Sequence, residues 1–272
     1  MRLFLSTVGK LIRRPATWIT FGVMAGLLSL ILLAVSASIG QVDDQPGGPQ
    51  FDPQILVTFP GAYRQVLAFV LGLGGLFALI FAAAVAGSEW TWATFKSVVA
   101  RGESRTVYQL ATFAGALVAI AVGLLFTYFV GVAVAALGAT IAGVSLEGMS
   151  DASTLSGLPE LLGRGAVGIC TQAALGYTVA TLAHSQLAGI GFGIALYFVG
   201  SFATIFLPEI VKYLPFQLAT SALGEAGGGG FGDGPGAVAV VDSGLALVLL
   251  VVWFVGSLAV AAAFSERAEI LG

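Results

Sequence analysis

The chain has 272 residues, of which 58% are hydrophobic and 9% charged, with a net charge of −3 and a mean hydropathy of +1.00. Soluble domains usually carry about 25% charged residues, so this composition excludes a soluble enzyme and indicates a chain that lies mostly in lipid. The single cysteine, Cys170, and the single histidine, His184, exclude an internal disulfide and a zinc site built from Cys and His.

Residues 1–15 predict an amphipathic helix that lies along the inner leaflet of the membrane. Apolar residues at helical spacing share one face: Leu3, Phe4, Val8, Leu11 and Ile12. Basic residues lie elsewhere on the helix: Arg2, Lys10, Arg13 and Arg14. Pro15 interrupts the pattern. We expect the basic side to face the lipid headgroups; the alternative is that these residues act only as a topology signal.

Six apolar runs are long enough to cross the hydrocarbon core, which takes about 20 residues. They cover residues 18–39, 63–87, 108–138, 163–183, 187–207 and 243–264. We therefore predict an all-α integral membrane protein, with residues 1–272 forming one transmembrane domain of six helices. The first run is longer than the apolar core of a signal peptide, about 7–15 residues, so we expect it to be retained as an anchor.

The distribution of Lys and Arg predicts the orientation. With the N-terminus inside, the cytoplasmic segments hold Arg2, Lys10, Arg13, Arg14, Lys96, Arg101, Arg105 and Arg267. The outer segments hold only Arg64, Arg164 and Lys212. Because cytoplasmic loops are enriched in Lys and Arg, we predict a multi-pass protein of the inner or plasma membrane with both termini in the cytoplasm.

Two segments between the runs carry further patterns. Residues 88–106 form a cytoplasmic loop in which residues 90–100 predict a short helix that ends at Gly102; the alternative is a solvated loop held by aromatic anchors. Residues 208–241 form the largest outer segment. Within it, residues 210–223 are apolar, too short to span and interrupted at Pro215, which predicts either a re-entrant or interfacial helix or a plain surface loop.

Around this cytoplasmic loop the chain resembles the permease subunits of ABC-2 type transporters. The resemblance rests on Glu89, Thr94, Lys96 and the Gly-Glu-Ser-Arg element that ends at Arg105, together with the six-span layout. The chain departs from the family pattern at Ala93, where Gly is frequent, and near Thr112, where Lys is frequent.

The resemblance implies an ABC-2 exporter-like fold with the N-terminal helix as a connecting helix and residues 88–106 as the site of a coupling helix. That helix would dock on a separate ATP-binding cassette subunit, with residues 183–186 as a smaller second contact. The implied coupling residues are Glu89, Trp90, Thr94, Phe95, Lys96, Arg101 and Arg105. The resemblance also implies a second permease, either another copy or a homologue, and outer re-entrant helices within residues 210–223.

We weigh three functions for this sequence. The first is an exporter permease, as the resemblance implies, with ATP and Mg²⁺ on the partner. The chain itself offers only Gly9 and Lys10, which lack the rest of a phosphate-binding loop. The second is a membrane scaffold or assembly subunit without transport. An intramembrane enzyme is least favoured, because His184 lies at a turn without an evident buried nucleophile. No feature indicates nucleic-acid binding, and the residues leave the substrate unidentified.

Overall fold

The computed structural model describes residues 2–39, 53–92, 94–224 and 241–267. Helices make up 88% of these residues, and none of them lies in a strand. The α-helices in this part of the chain are α1 (Arg2–Arg13), α2 (Pro15–Ser38), α3 (Gly61–Thr91), α4 (Thr94–Ala100), α5 (Arg105–Ile141), α6 (Ala152–Leu182), α7 (Gln186–Phe206), α8 (Pro208–Val211), α9 (Pro215–Ser221) and α10 (Ser243–Arg267). Short 3₁₀ helices lie at Pro53–Leu56 and Glu147–Ser150.

Five of these helices are long and apolar enough to cross a membrane: α2, α3, α5, α6 and α10. The prediction of an all-α chain with several membrane-spanning helices is therefore confirmed. The fifth predicted run corresponds to α7, whose stretch Gln186–Gly200 is apolar but shorter than a membrane crossing. The count of six spans stays a prediction.

The ends of the helices gather at two opposite ends of the bundle. At one end, which we call the basic end, α1 meets the last turn of α3, the first turn of α5, the α6–α7 turn and the last turn of α10. The described basic side chains at this end are Lys10, Arg13, Arg14, Lys96, Arg101, Arg105 and Arg267. The uneven charge distribution along the sequence thus becomes a basic end in three dimensions.

Helix α3 is the central element and packs against α5, α6 and α7. Its approach to α6 depends on Gly176, where an added Cβ would lie 2.3 Å from the carbonyl oxygen of Leu79. At the basic end, a Cβ on Gly87 would lie 2.3 Å from the backbone nitrogen of Gln186, the first residue of α7. Helices in lipid pack closely where small residues let the backbones approach, and both glycines meet that requirement.

One predicted helix boundary within residues 88–106 was wrong, and α6 begins before the predicted fourth span. The short helix predicted over residues 90–100 starts at Thr94, because α3 continues to Thr91. Helix α6 begins at Ala152 rather than near residue 163, since Asp151 caps it by accepting a hydrogen bond from the Thr154 amide at 3.1 Å. Hydrogen bonds from Ser153 and Thr154 lower the pKa of Asp151 to about 2, so this cap stays ionised.

The described part of the predicted outer segment contains two short helices. Helix α8 ends at Val211, and α9 begins at Pro215, the residue at which the sequence predicted a break. Helix α9 packs against α6 and α10, and Leu218 and Ala219 are buried there. The remaining part of the predicted outer segment, residues 225–240, lies outside the described residues, as do residues 40–52 of the first outer loop.

Candidate functional site

A buried carboxylate lies at the centre of the basic end. Glu89, in the last turn of α3, has a side chain that is 7% exposed. The Lys10 ammonium of α1 donates to its Oε1 at 2.8 Å, and the Tyr108 hydroxyl of α5 donates to its Oε2. Burying a charge is costly unless it is paired and hydrogen-bonded. The Glu89 side chain therefore connects α1, α3 and α5.

The two members of this ion pair differ in their contact with solvent. The Lys10 side chain is 37% exposed, five times the exposed fraction of Glu89. The ammonium therefore keeps part of its hydration, whereas the carboxylate depends on its protein partners. Loss of Lys10 would leave the buried Glu89 side chain with the Tyr108 hydroxyl as its described partner, and removing one member of a buried pair is destabilising because the other member loses its counter-charge.

Arg14, the residue between α1 and α2, adds a second link from the N-terminal helix to the end of α3. Its guanidinium donates to the Ser88 hydroxyl at 3.3 Å and lies 4.8 Å from the centre of the Trp92 ring. A guanidinium over an indole face is attracted by the ring quadrupole. Trp92 is 64% exposed, which suits an aromatic residue at the membrane interface.

An aromatic cluster holds the short helix α4 against the bundle. The Trp90 ring lies 4.6 Å from Phe95 and 3.8 Å from His184, measured between ring centroids. Phe95 is the buried side chain of α4, and it also faces Tyr108 at 6.1 Å. Burial of these rings anchors α4 from beneath, so α4, α3, α5 and the α6–α7 turn share one cluster.

His184 occupies the α6–α7 turn with a backbone φ of 51°. This left-handed conformation is uncommon outside glycine, and it turns the imidazole toward Trp90 and also toward Phe264 of α10, at 5.6 Å. Partial burial lowers the pKa of His184 from its ordinary value. At neutral pH the ring is therefore uncharged, and it acts as a packing group between three helix ends.

The start of α5 is tied to the end of α10. The Arg105 guanidinium donates to the backbone carbonyls of Ser265 at 3.3 Å and Glu266 at 3.1 Å. The last carbonyls of a helix lack partners within it and favour a cation. One turn further along α5, the Gln109 side chain accepts a hydrogen bond from the Ser265 hydroxyl at 2.7 Å. Helix α10 is thereby joined to the same end of the bundle.

The structure brings together four of the seven predicted coupling residues: Glu89, Trp90, Phe95 and Arg105. The other three lie along α4 and the turn after it: Thr94, Lys96 and Arg101. Lys96 and Arg101 are exposed, whereas Thr94 is half-buried. Of the basic residues predicted on the interfacial helix, Lys10 and Arg14 reach this cluster, Arg13 is exposed, and Arg2 belongs to the first turn of α1.

Sequence reasoning missed Tyr108 and the role of His184. Tyr108 is 19 residues from Glu89 along the chain, and Lys10 is 79 residues away, so local spacing carries no signal for either contact. A weak signal existed, because an apolar chain with few carboxylates that carries one beside a span must give it a partner. Within the described ranges, no three His, Cys, Asp or Glu side chains form a group that could hold a metal ion.

The ion pair between Lys10 and Glu89 predicts that replacing Lys10 lowers the stability of the fold. Lys10→Met is expected to lower the free energy of unfolding by about 1–3 kcal/mol, less than the roughly 3–5 kcal/mol for a fully buried pair, because Lys10 is partly hydrated. The measurement is the denaturant midpoint followed by tryptophan fluorescence in mixed micelles. Adding Glu89→Gln to Lys10→Met should recover part of the loss, since it removes the unpaired charge.

Arg13→Met is the matched control, because Arg13 is an exposed basic residue on the same helix. Its effect should stay within about 0.5 kcal/mol. If Lys10→Met is no more destabilising than Arg13→Met, or if Glu89→Gln adds to the loss instead of relieving it, Glu89 is not the buried charge that we describe.

A family model matches most of the chain. The family model described as Protein of unknown function (DUF2705) matches residues 56–266, a region that contains Glu89 and Tyr108 but begins after Lys10. No curated protein matches the chain. Because the match covers more than half of its length, the chain belongs to the DUF2705 family of proteins of unknown function.

Proposed function

We propose that this chain is the transmembrane permease subunit of an ABC-2 type transporter, an exporter powered by a separate ATP-binding cassette subunit. In this proposal ATP and Mg²⁺ bind the partner, and the permease works with a second copy or a homologous permease. The sequence resemblance around Glu89–Arg105 supports the family assignment, and the geometry of the basic end supports the coupling role. The five apolar helices that could cross a membrane agree with a role in transport.

The proposal includes an orientation, with the basic end in the cytoplasm, α7 as a sixth span and both termini inside. It is supported by the clustering of Lys and Arg at that end. Ser97 of α4 and Ser156 of α6 are exposed at opposite ends of the bundle. After Cys170→Ala, Ser97→Cys should react with an impermeant thiol reagent only in inverted vesicles, and Ser156→Cys only in sealed cells. Reaction of Ser97→Cys from outside would overturn the orientation.

The observation that carries the coupling role is the two-sided character of α4. Its buried side is held by Phe95 in the aromatic cluster, whereas Lys96 and Ser97 are exposed on its other side. A soluble partner therefore meets a polar surface that is anchored from beneath. Because α4 joins α3 to α5 along the chain, a displacement of α4 acts on both helices.

Further contacts would spread such a displacement beyond α3 and α5. Lys10 and Arg14 link the same region to α1 and α2, His184 links it to the α6–α7 turn, and Arg105 links it to α10. Packed elements transmit strain because interiors have low compressibility. The basic end can therefore move as one body, as expected of a part that receives motion from a partner.

The geometry changes the role expected for Glu89. The resemblance implied a residue at the docking contact, but the side chain is 7% exposed and both of its oxygens are engaged inside the chain. We therefore assign Glu89 as a positioning residue that keeps α1, α3 and α5 together while α4 is pushed. The docking charges in this proposal are the exposed Lys96 and Arg101.

The experiment is co-purification of the chain with a phosphate-loop ATPase, followed by reconstitution of the complex in liposomes. The chain alone should hydrolyse no ATP. In the complex, Glu89→Gln should retain the partner but reduce transport-linked ATPase activity. We expect a reduction of about five-fold or more, the lower end of the range typical of coupling between two sites. Glu103→Gln is the matched control, since Glu103 is an exposed carboxylate on the same loop, and it should be close to wild type.

Two outcomes would contradict the proposal. ATP hydrolysis by the chain alone would favour an enzyme, and an intact chain that copurifies with no ATPase would favour a scaffold or assembly subunit. Equal coupled activity in Glu89→Gln and Glu103→Gln, with both variants monodisperse on size exclusion, would remove the coupling role from Glu89.

A further inference from the structure

An open surface groove of about 510 Å³ lies along one face of α1. Its lining comes from a single helix face and from the residue that follows the helix: Leu5, Ser6, Gly9, Lys10, Arg13 and Arg14. We propose that this groove binds the headgroup of one anionic phospholipid.

The positive charge of the groove favours an anionic ligand. Three of its six lining residues are cations, and among the described residues the carboxylate paired with them is that of Glu89, through Lys10. Three cations against one carboxylate leave an excess of positive charge at the groove, where Arg13 is exposed, Lys10 is 37% exposed and Arg14 is half-buried. The exposed hydroxyl of Ser6 adds a hydrogen-bond donor. Gly9 has no side chain to fill the groove, and nothing lies within 4 Å of the position that a Cβ would take. Phosphate oxygens suit such a combination of guanidinium, ammonium and hydroxyl groups.

The surroundings of the groove favour a lipid over a soluble anion. Leu5 and Ile12 on α1 are 58% and 53% exposed, so apolar side chains border the cations. The indole N–H of Trp18 donates to the Ile12 carbonyl at 2.8 Å, which joins α1 to the outer face of α2. A free phosphate would need only the cations, whereas a phospholipid needs an apolar path beside them.

That path is present on α2. Gly22 and Gly26 follow Trp18 at intervals of four residues, so the three lie on one face of the helix. Both glycines are exposed and have open space where a Cβ would stand. They form a shallow apolar strip that leads away from α1 into the membrane. A headgroup in the groove can therefore place an acyl chain along α2.

The proposed site shares Lys10 with the ion pair at Glu89. A lipid phosphate and the Glu89 carboxylate would then lie on two sides of one ammonium, which connects the inner leaflet to the basic end. This inference does not rest on the transport function, because it requires only that α1 lies at the membrane surface.

The test uses the full-length chain, delipidated in a neutral detergent and mixed with phosphatidylglycerol or phosphatidylcholine of identical acyl chains. Native mass spectrometry counts the lipids retained. We expect one phosphatidylglycerol per chain to be retained preferentially over phosphatidylcholine, with the preference falling as salt is raised. Arg13→Gln should reduce that preference by about five-fold, the contribution of one basic residue near an anionic surface.

Ser6→Asp is a second variant at an exposed position, and it should abolish the preference by placing a negative charge in the groove. Arg267→Gln is the matched control, because Arg267 is an exposed basic residue at the same end but outside the groove, and it should retain wild-type preference. Equal retention of the two lipids would overturn the proposal, as would unchanged retention in both groove variants. Displacement of phosphatidylglycerol by equimolar inorganic phosphate would also overturn it, because the groove would then be a simple anion site.

Discussion

The arrangement of the basic end depends on the need to pair one buried carboxylate at the end of a long apolar helix. Glu89 comes at the end of an apolar helix and is almost fully buried, so its charge cannot be left to water. Lys10 supplies the counter-charge from one direction and Tyr108 supplies a hydroxyl from another. An unpaired buried charge costs several kcal/mol, and this penalty specifies where α1 and α5 must lie relative to α3.

Once that arrangement exists, the neighbouring contacts reinforce it. Trp90 and Phe95 place α4 over the same helices, and His184 adds the α6–α7 turn to the cluster. Arg105 adds the end of α10. The result is a surface helix with a buried anchor and an exposed polar side, and our proposal that a soluble partner docks on α4 depends on this geometry.

The sequence predicted well the five helices that are long and apolar enough to cross a membrane, because lipid imposes a minimum length of apolar residues that is visible in any single run. Boundaries were less predictable where polar residues extend a helix past the hydrocarbon. Helix α3 continues through Glu89 because its partners come from other helices, and α6 starts at Ala152 although Pro159 lies inside it. The site was only partly predictable. Glu89 stood out as a charge beside a span, but its partners lie 19 and 79 residues away along the chain, and only tertiary packing brings them together.

The most direct test of this account is a distance measurement between α1 and α4. After Cys170→Ala, cysteines are introduced at the exposed positions Ser6 and Ser97 and spin-labelled. Pulsed electron–electron double resonance then measures the distance between the two labels. If the Glu89 carboxylate holds α1 against the end of α3, the distance distribution is single and narrow, and it broadens when Lys10→Met or Tyr108→Phe removes a partner of the carboxylate. A distribution whose centre and width are unchanged after both partners are removed would contradict the central claim.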